Sequence, residues 1–192
     1  MTIAERLAAA AGAARPTEAM RETAERLVLD IAGLCVGARR ERYVAAVLDS
    51  AEGAGASTVI GHPRALTALD AALVNGTAAH GEDYDDTLEG GPVHAGAVVV
   101  PAVLAIAERF GLLGRMASPA SPSALRRRAG SQRWCRRRVH KAGFHPTCVF
   151  GAIGAALGAG VALRLPAAAL AYALGIAGSF ASGIIEYLAD GS

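Results

Sequence analysis

The chain has 192 residues, 53% of them hydrophobic and 19% charged, which excludes a disordered protein and allows one domain with a sizeable core. Eight of the 19 basic residues are arginines between positions 115 and 138, so the rest of the chain carries a net charge of about −6. The formal charge of +2 therefore describes neither part. A uniformly basic nucleic-acid-binding protein is not favoured, because such a protein spreads its positive charge over a face with aromatic residues or a reader motif, and only 5% of this chain is aromatic.

The first 63 residues predict two helices followed by an extended piece. No uninterrupted apolar run follows Met1, so no secretory signal peptide is predicted. Apolar residues at helical spacing predict one helix within Thr17–Val36, with Thr17 as its N-cap, and a second within Glu41–Ala54. The β-branched stretch Ser57–Pro63 is bounded by glycine and proline, which indicates a short extended segment or loop.

Two further helices are predicted around an acidic cluster. One begins near Leu66 and runs through His80 into the acids, and Gly90 and Gly91 break the chain after them. The other covers Ala95–Phe110, with Pro101 close to its first turns, where proline is best tolerated.

The segment at about 113–139 is atypical, because serine and proline precede a run of arginines with no acidic partner. One interpretation is a basic tether for nucleic acid or another anionic surface. The favoured interpretation is a segment foreign to the fold, such as the product of a shifted reading frame, so no specific nucleic-acid partner is expected.

Two long uncharged runs, Ala142–Leu163 and Leu165–Ile185, each reach the length of a membrane span. Both consist mostly of alanine and glycine, so a pair of packed helices is favoured over a membrane hairpin. The three cysteines are too few and too scattered for a disulfide framework or a zinc cluster. A cytoplasmic protein with no membrane association is therefore expected.

The passage from Asn75 to His94 contains five acidic residues within eight positions and is the best candidate for chemistry. If the helix continues, His80, Asp83 and Thr87 share one face, while Asp85 and Asp86 point elsewhere. Three interpretations remain open from spacing alone. They are a solvated helix end, a magnesium site on the DDxxE string that begins at Asp85, and metal-free acid–base chemistry.

A second candidate site lies in the string Gly-Phe-His-Pro-Thr that begins at Gly143. Thr147 is predicted as the N-cap of the following helix, so His145 would project from the helix N-terminus, where carboxylates bind favourably. Cys148 is interpreted as a packing residue.

These motifs in this order resemble the MmgE/PrpD family. The resemblance rests on Asn-Gly-x-x-x-His-x-x-Asp-x-Asp-Asp-Thr from Asn75, on Gly-Phe-His-Pro-Thr from Gly143, and on Phe-Gly-Ala-Ile-Gly from Phe150. It covers about 17–112 and 140–192. It implies an all-α fold, namely the N-terminal portion of a large helical domain, with the family's smaller α/β lid domain absent.

The resemblance also implies lyase or epimerase chemistry on a small di- or tricarboxylate, of the 2-methylcitrate dehydratase type, in a homodimer without metal or other cofactor. It assigns catalysis to Asp83, Thr87, His94 and His145. It gives His80, Asp85, Asp86 and Thr147 a part in substrate binding, orientation or local charge.

Two departures from the family pattern set further expectations. The chain ends at Ser192, where family members continue into a lysine-containing motif and the lid, and the segment at about 113–139 replaces an apolar helix. We therefore expect a single incomplete helical domain over 1–192 that is weakly active or inactive alone. The competing expectation is a non-catalytic or membrane-associated helical protein with a basic anchor.

Overall fold

The structure, a computed structural model, describes residues 1–87, 92–112 and 138–185. Its described part is mostly helical, which confirms the all-α prediction, and it adds a two-stranded hairpin. The elements in chain order are α1 (Ile3–Ala13), α2 (Glu18–Ala38), α3 (Arg42–Ser50), β1 (Ala54–Thr58), β2 (Ala65–Leu66), α4 (Ala68–His80), α5 (Ala95–Arg109), α6 (Pro146–Ala162) and α7 (Ala167–Phe180).

The first helix was not predicted from the apolar pattern, although a capping box marks its start. Thr2 accepts the backbone N–H of Glu5, and the Glu5 carboxylate accepts the backbone N–H of Thr2 in return. The predicted N-cap at Thr17 is confirmed. Helix α3 ends at Ser50 rather than at the predicted Ala54, because the residues from Ala54 onward pair as strand β1.

The hairpin is tied to two helices by side-chain hydrogen bonds. The Glu108 carboxylate of α5 accepts the backbone N–H and the hydroxyl of Thr58, at 2.7 and 2.6 Å. The Asn75 side chain of α4 accepts the backbone N–H of Ile60 and donates to the carbonyl of Thr58, each at 2.9 Å. These bonds satisfy backbone groups that the short strands leave unpaired.

Two hydrophobic clusters form the core of the described chain. The larger one joins α2, α3, α4, α5 and the hairpin, and Ile31, Val44 and Val74 are among its buried residues. The smaller one joins α1, α6 and α7 through Ala8, Leu157, Leu170 and Leu174. Cys35 belongs to the larger cluster, and burial raises the pKa of its thiol to about 11, so it is a packing residue.

Helix α5 lies between the clusters and contacts both α4 and α6. Small residues permit the close approach: a Cβ atom on Gly76 would lie 3.3 Å from the carbonyl oxygen of Ala97, and one on Gly151 would lie 2.9 Å from Val98. Pro101 lies inside α5, near its first turns as predicted, and has no N–H to donate to that same Ala97 carbonyl.

The two uncharged runs form α6 and α7, which pack against each other and against α1. Within the described residues no helix is both long and apolar enough to cross a membrane. Helix α7 is shorter than its run, because 181–185 turn back to pair with 143–145. Most of the atypical basic segment, 113–137, lies outside the described residues.

Candidate active site

The turn after α4 differs from the predicted continuation of the helix. Helix α4 ends at His80, and Asp83 adopts a left-handed conformation with φ of 56°, which few non-glycine residues do. The Tyr43 hydroxyl donates to Glu82 at 3.0 Å, and the Tyr43 ring fills the space that a side chain on Gly81 would need. Burial and this hydrogen bond raise the pKa of Tyr43 to about 12, so it remains a neutral donor that holds the turn.

This turn reverses the predicted direction of Asp85, which points into the site. The Asp85 side chain is 0% exposed, and both of its oxygens lie 3.1 Å from Nδ1 of His80. This hydrogen bond raises the pKa of His80 above its ordinary value, against the opposing effect of burial. His80 therefore holds a proton on Nδ1 and is charged more readily than a free imidazole.

In a DDxxE metal site the carboxylate of Asp86 would face the metal ion, but here it binds a backbone N–H. Its Oδ1 accepts the backbone N–H of Gly96 at 2.7 Å, so it caps the N-terminus of α5. A side chain on Gly96 would overlap this carboxylate. Asp85 and Asp86 thus face different groups, which does not favour the magnesium interpretation.

His94 lies at the start of α5, between the carboxylates of Asp83 and Asp85. Its Nε2 is 3.6 Å from Asp83 and its Nδ1 is 3.2 Å from Asp85. The approach to Asp85 does not have hydrogen-bond geometry, so Nδ1 is a buried nitrogen with no hydrogen-bond partner among the described residues. The rings of His80 and His94 are 4.9 Å apart between centroids.

The N-terminus of α6 is arranged differently from the prediction. His145, not Thr147, is the N-cap, and its Nδ1 accepts the backbone N–H of Thr147 at 3.1 Å. The Thr147 hydroxyl instead accepts the backbone N–H of His94 at 3.0 Å. Proline at position 146 favours this register because it suits the first helical position. Thr147 therefore joins the starts of α5 and α6.

His145 is buried, and its ring centroid lies 5.9 Å from that of His80. Burial lowers the pKa of His145, and repulsion from His80 and His94 lowers it further. Since Nδ1 accepts a backbone hydrogen bond, the neutral ring carries its proton on Nε2. The site thus holds one imidazole biased toward the charged form and one biased toward the neutral form.

The segment 181–185, which we name the return segment, holds His145 in place. The backbone N–H of His145 donates to Gly183, and that of Ile185 donates to Gly143, at 2.9 and 3.0 Å. Sequence reasoning missed this pairing and the contact of Tyr43 with the α4 turn, because both join residues that are distant in the chain.

Five of the eight predicted site residues are brought into contact, and Asp86 and Thr147 bond the backbone of the helix starts beside them. His80, Asp83, Asp85, His94 and His145 form one cluster, which we name the histidine–aspartate cluster. Thr87 is exposed and makes no hydrogen bond to any other described residue. It is the last described residue before 88–91, which lie outside the described chain.

A cleft of about 690 Å³ opens beside the cluster. His80, Asp83 and Thr147 line it together with mostly apolar residues of α4, α5 and α6. Its volume is within the range of small-molecule sites. A ligand in this cleft would contact the imidazole and carboxylate that are most accessible in the cluster.

Comparison with known proteins shows which family this chain belongs to. The sequence model of the MmgE/PrpD N-terminal domain matches residues 2–192, which is more of the chain than the motifs alone cover. The chain belongs to the MmgE/PrpD family. Its helical fold is the one expected for that family's N-terminal domain.

Two curated relatives of this MmgE/PrpD chain are both named cis-aconitate decarboxylase. One is from Aspergillus terreus and the other is from its strain NIH 2624 / FGSC A1156. Each is 34% identical over 181 residues, an alignment that covers 86% of this chain and 36% of the relative. The chain therefore spans about a third of the length of these lyases.

Proposed function

We propose that this chain carries the proton-transfer centre of a cofactor-independent lyase that acts on a small di- or tricarboxylate. The observation that supports it best is the histidine–aspartate cluster, in which a buried carboxylate contacts two imidazoles beside an open cleft. Titratable groups with opposed pKa shifts in one site are typical of acid–base catalysis. The relatives' name agrees with this class of reaction.

The substrate class follows from charge and from the cleft. The hydrogen bond to Asp85 raises the pKa of His80, and His80 lines the cleft, so it provides a positive partner for a substrate carboxylate. The N-terminus of α6 adds a weaker favourable field. We propose cis-aconitate and 2-methylcitrate as the substrates to test, covering decarboxylation and dehydration, with epimerisation as the remaining reaction of the class.

In this proposal, the substrate proton is taken up by Asp83 and His94. Asp83 is 74% exposed at the side chain and lies 3.6 Å from Nε2 of His94, so a substrate proton can pass to this pair. His145 presents a neutral ring with the proton on Nε2, which suits a donor to a developing negative oxygen or a leaving hydroxyl. Thr87 stays in the proposal as a substrate-orienting hydroxyl.

Substrate binding tests the proposal with the chain by itself. We expect that cis-aconitate shifts the imidazole NMR signals of His80, His94 and His145 together and leaves His62, in the distant hairpin turn, unchanged. An Asp83→Asn variant should alter these shifts, while a His62→Gln variant should not. Equal shifts of all histidines, or none in the cluster, would show that the cleft is not the substrate site.

The proposal also includes a cytoplasmic homodimer, as the resemblance implies. Sedimentation equilibrium of the chain measures whether it forms a dimer. A monomer at all concentrations would contradict the homodimer and leave the proposed site unaffected.

A further inference from the structure

Four potential metal ligands converge in the histidine–aspartate cluster. One donor atom from each of His80, Asp83, Asp85 and His94 lies within 4.8 Å of all the others. Nδ1 of His80 and Nδ1 of His94 each lie close to an oxygen of Asp85, at 3.1 and 3.2 Å. Ligand atoms about 2.0–2.1 Å from a tetrahedral zinc ion are separated by about 3.3 Å, so these two spacings suit a single small ion. Asp83 offers a fourth ligand atom within the same 4.8 Å.

A second observation points to a ligand at the same place. Nδ1 of His94 is buried without a hydrogen-bond partner among the described residues, although Oδ1 of the fully buried Asp85 lies 3.2 Å away. At this separation and without hydrogen-bond geometry, the nitrogen and the oxygen are placed as two ligand atoms of one ion would be. Burial makes a nitrogen without a hydrogen-bond partner costly.

The donor types select the class of ion. Two imidazole nitrogens and two carboxylate oxygens suit ions such as Zn²⁺ and Co²⁺, whereas Mg²⁺ prefers oxygen ligands and retains water. Asp86 does not take part, because it caps α5. The set therefore differs from the DDxxE string that the sequence offered.

We propose that the histidine–aspartate cluster binds one zinc-class divalent ion per chain, and that this ion inhibits the lyase by occupying its proton-transfer groups. The binding half stands on the geometry of the cluster alone, whereas the inhibition rests on the proposed function. Binding of the ion would displace the proton that Nδ1 of His80 holds against Asp85, because a ligating nitrogen must be deprotonated. His94 and Asp83 would be ligands instead of proton carriers while the ion is bound. A lyase without a metal cofactor would thus be switched off by free zinc.

Cobalt binding tests the first half with the chain as it exists. Metal-free protein titrated with Co²⁺ should develop the visible absorption of a tetrahedral cobalt site and saturate at one ion per chain. Asp83→Asn should weaken binding by about tenfold or more, because even loss of a group that only supports a ligand costs 10–100-fold. Its side chain is 74% exposed, so this variant keeps the fold. His62→Gln should bind cobalt as the wild type does.

Two results would overturn the metal site: no saturable cobalt absorption, or an affinity that Asp83→Asn, Asp85→Asn and His94→Gln all leave unchanged. Competition tests the second half, since Zn²⁺ should abolish the histidine shifts that cis-aconitate causes. Zinc binding without competition would overturn inhibition. Cobalt binding in a chain that ignores cis-aconitate would remove the proposed function and leave the metal site standing.

Discussion

Asp85 makes the pKa of His80 differ from that of His145 although their ring centroids lie only 5.9 Å apart. Its buried carboxylate hydrogen-bonds His80, while Nδ1 of His145 accepts a backbone N–H and the nearby rings of His80 and His94 oppose a charge on it. Burial lowers the pKa of both imidazoles, and in His80 the hydrogen bond to Asp85 outweighs it. One fully buried residue thus separates an acid from a neutral donor.

An NMR pH titration of the imidazole signals checks this separation. We expect His80 to titrate above the ordinary histidine pKa of about 6.5, and His145 to titrate below it. The Asp85→Asn substitution should bring the pKa of His80 down, since the largest raising contribution is lost. A common pKa for the two rings, or the reverse order, would contradict the role of Asp85.

The same pair makes stability depend on pH. The folded-state pKa of His80 is raised, so its pairing with Asp85 stabilises the fold fully below the unfolded pKa of about 6.5 and loses this effect as pH rises through the folded pKa. Asp85→Asn should therefore lower the free energy of unfolding by about 1–3 kcal/mol at pH 6 and by less at pH 9.

Urea unfolding at the two pH values measures this difference, with Asp49→Asn as a control at an exposed position. If Asp85→Asn lowers the free energy of unfolding equally at both pH values, the charge of His80 does not contribute to stability.

Helix ends, more than helix faces, build the site. His80 ends α4, His94 precedes α5 and His145 precedes α6, while Asp86 and Thr147 bond the backbone around those starts. Residues at helix ends are held by the packing of the whole helix, so three rigid elements fix three imidazoles. The return segment adds a fourth support through its two backbone bonds to 143–145.

Gly183 is the residue on which the return segment depends. Its φ is +114°, a conformation that L side chains rarely adopt, and a Cβ atom there would lie 2.8 Å from Sγ of Cys148. We expect Gly183→Ala to destabilise the chain by about 1–3 kcal/mol and to release the His145 amide, which donates to Gly183. Hydrogen exchange of that amide measures the release.

Gly33→Ala is the matched control, because Gly33 lies inside α2 with nothing within 4 Å of its added Cβ. This change should stabilise the chain by about 0.5–1 kcal/mol. Unchanged exchange at His145 in the Gly183→Ala protein would show that the return segment does not hold the site.

The sequence predicted the elements better than their ends. Apolar periodicity located α2, α3, α4 and α5, since it reports the face that each helix buries. It could not show that α4 stops at His80, because Tyr43 and the αL conformation of Asp83 decide that turn through tertiary contacts. The motifs named the residues of the cluster, but the inward direction of Asp85 appeared only with the fold.

In the described part of the chain, the two hydrophobic clusters meet where α5 of the larger cluster packs against α6 of the smaller one. The histidine–aspartate cluster lies at this connection, because His94 begins α5 and His145 precedes α6. The geometry of the site therefore depends on both clusters remaining folded together. We therefore expect the two clusters to unfold together, as parts of a single domain.

Core truncations test that expectation. Ile31→Ala in the larger cluster and Leu157→Ala in the smaller one should each lower the free energy of unfolding by about 2–5 kcal/mol and shift one common transition. Leu29→Ala, at a side chain that is 72% exposed, should change stability by less than about 0.5 kcal/mol. Two separate transitions, each sensitive to one variant, would indicate two independent units.

The central claim is that the histidine–aspartate cluster transfers a substrate proton. Its most direct test is the incorporation of solvent deuterium next to a carboxylate of cis-aconitate or 2-methylcitrate, followed by proton NMR in D₂O. Because the chain spans 36% of its curated relatives, the protein to use is this chain joined to the remaining part of the Aspergillus terreus lyase.

We expect Asp83→Asn and His94→Gln to slow incorporation by about 100-fold or more, the usual contribution of a general acid or base, and His62→Gln to leave it unchanged. Incorporation at the wild-type rate in both cluster variants would contradict the account.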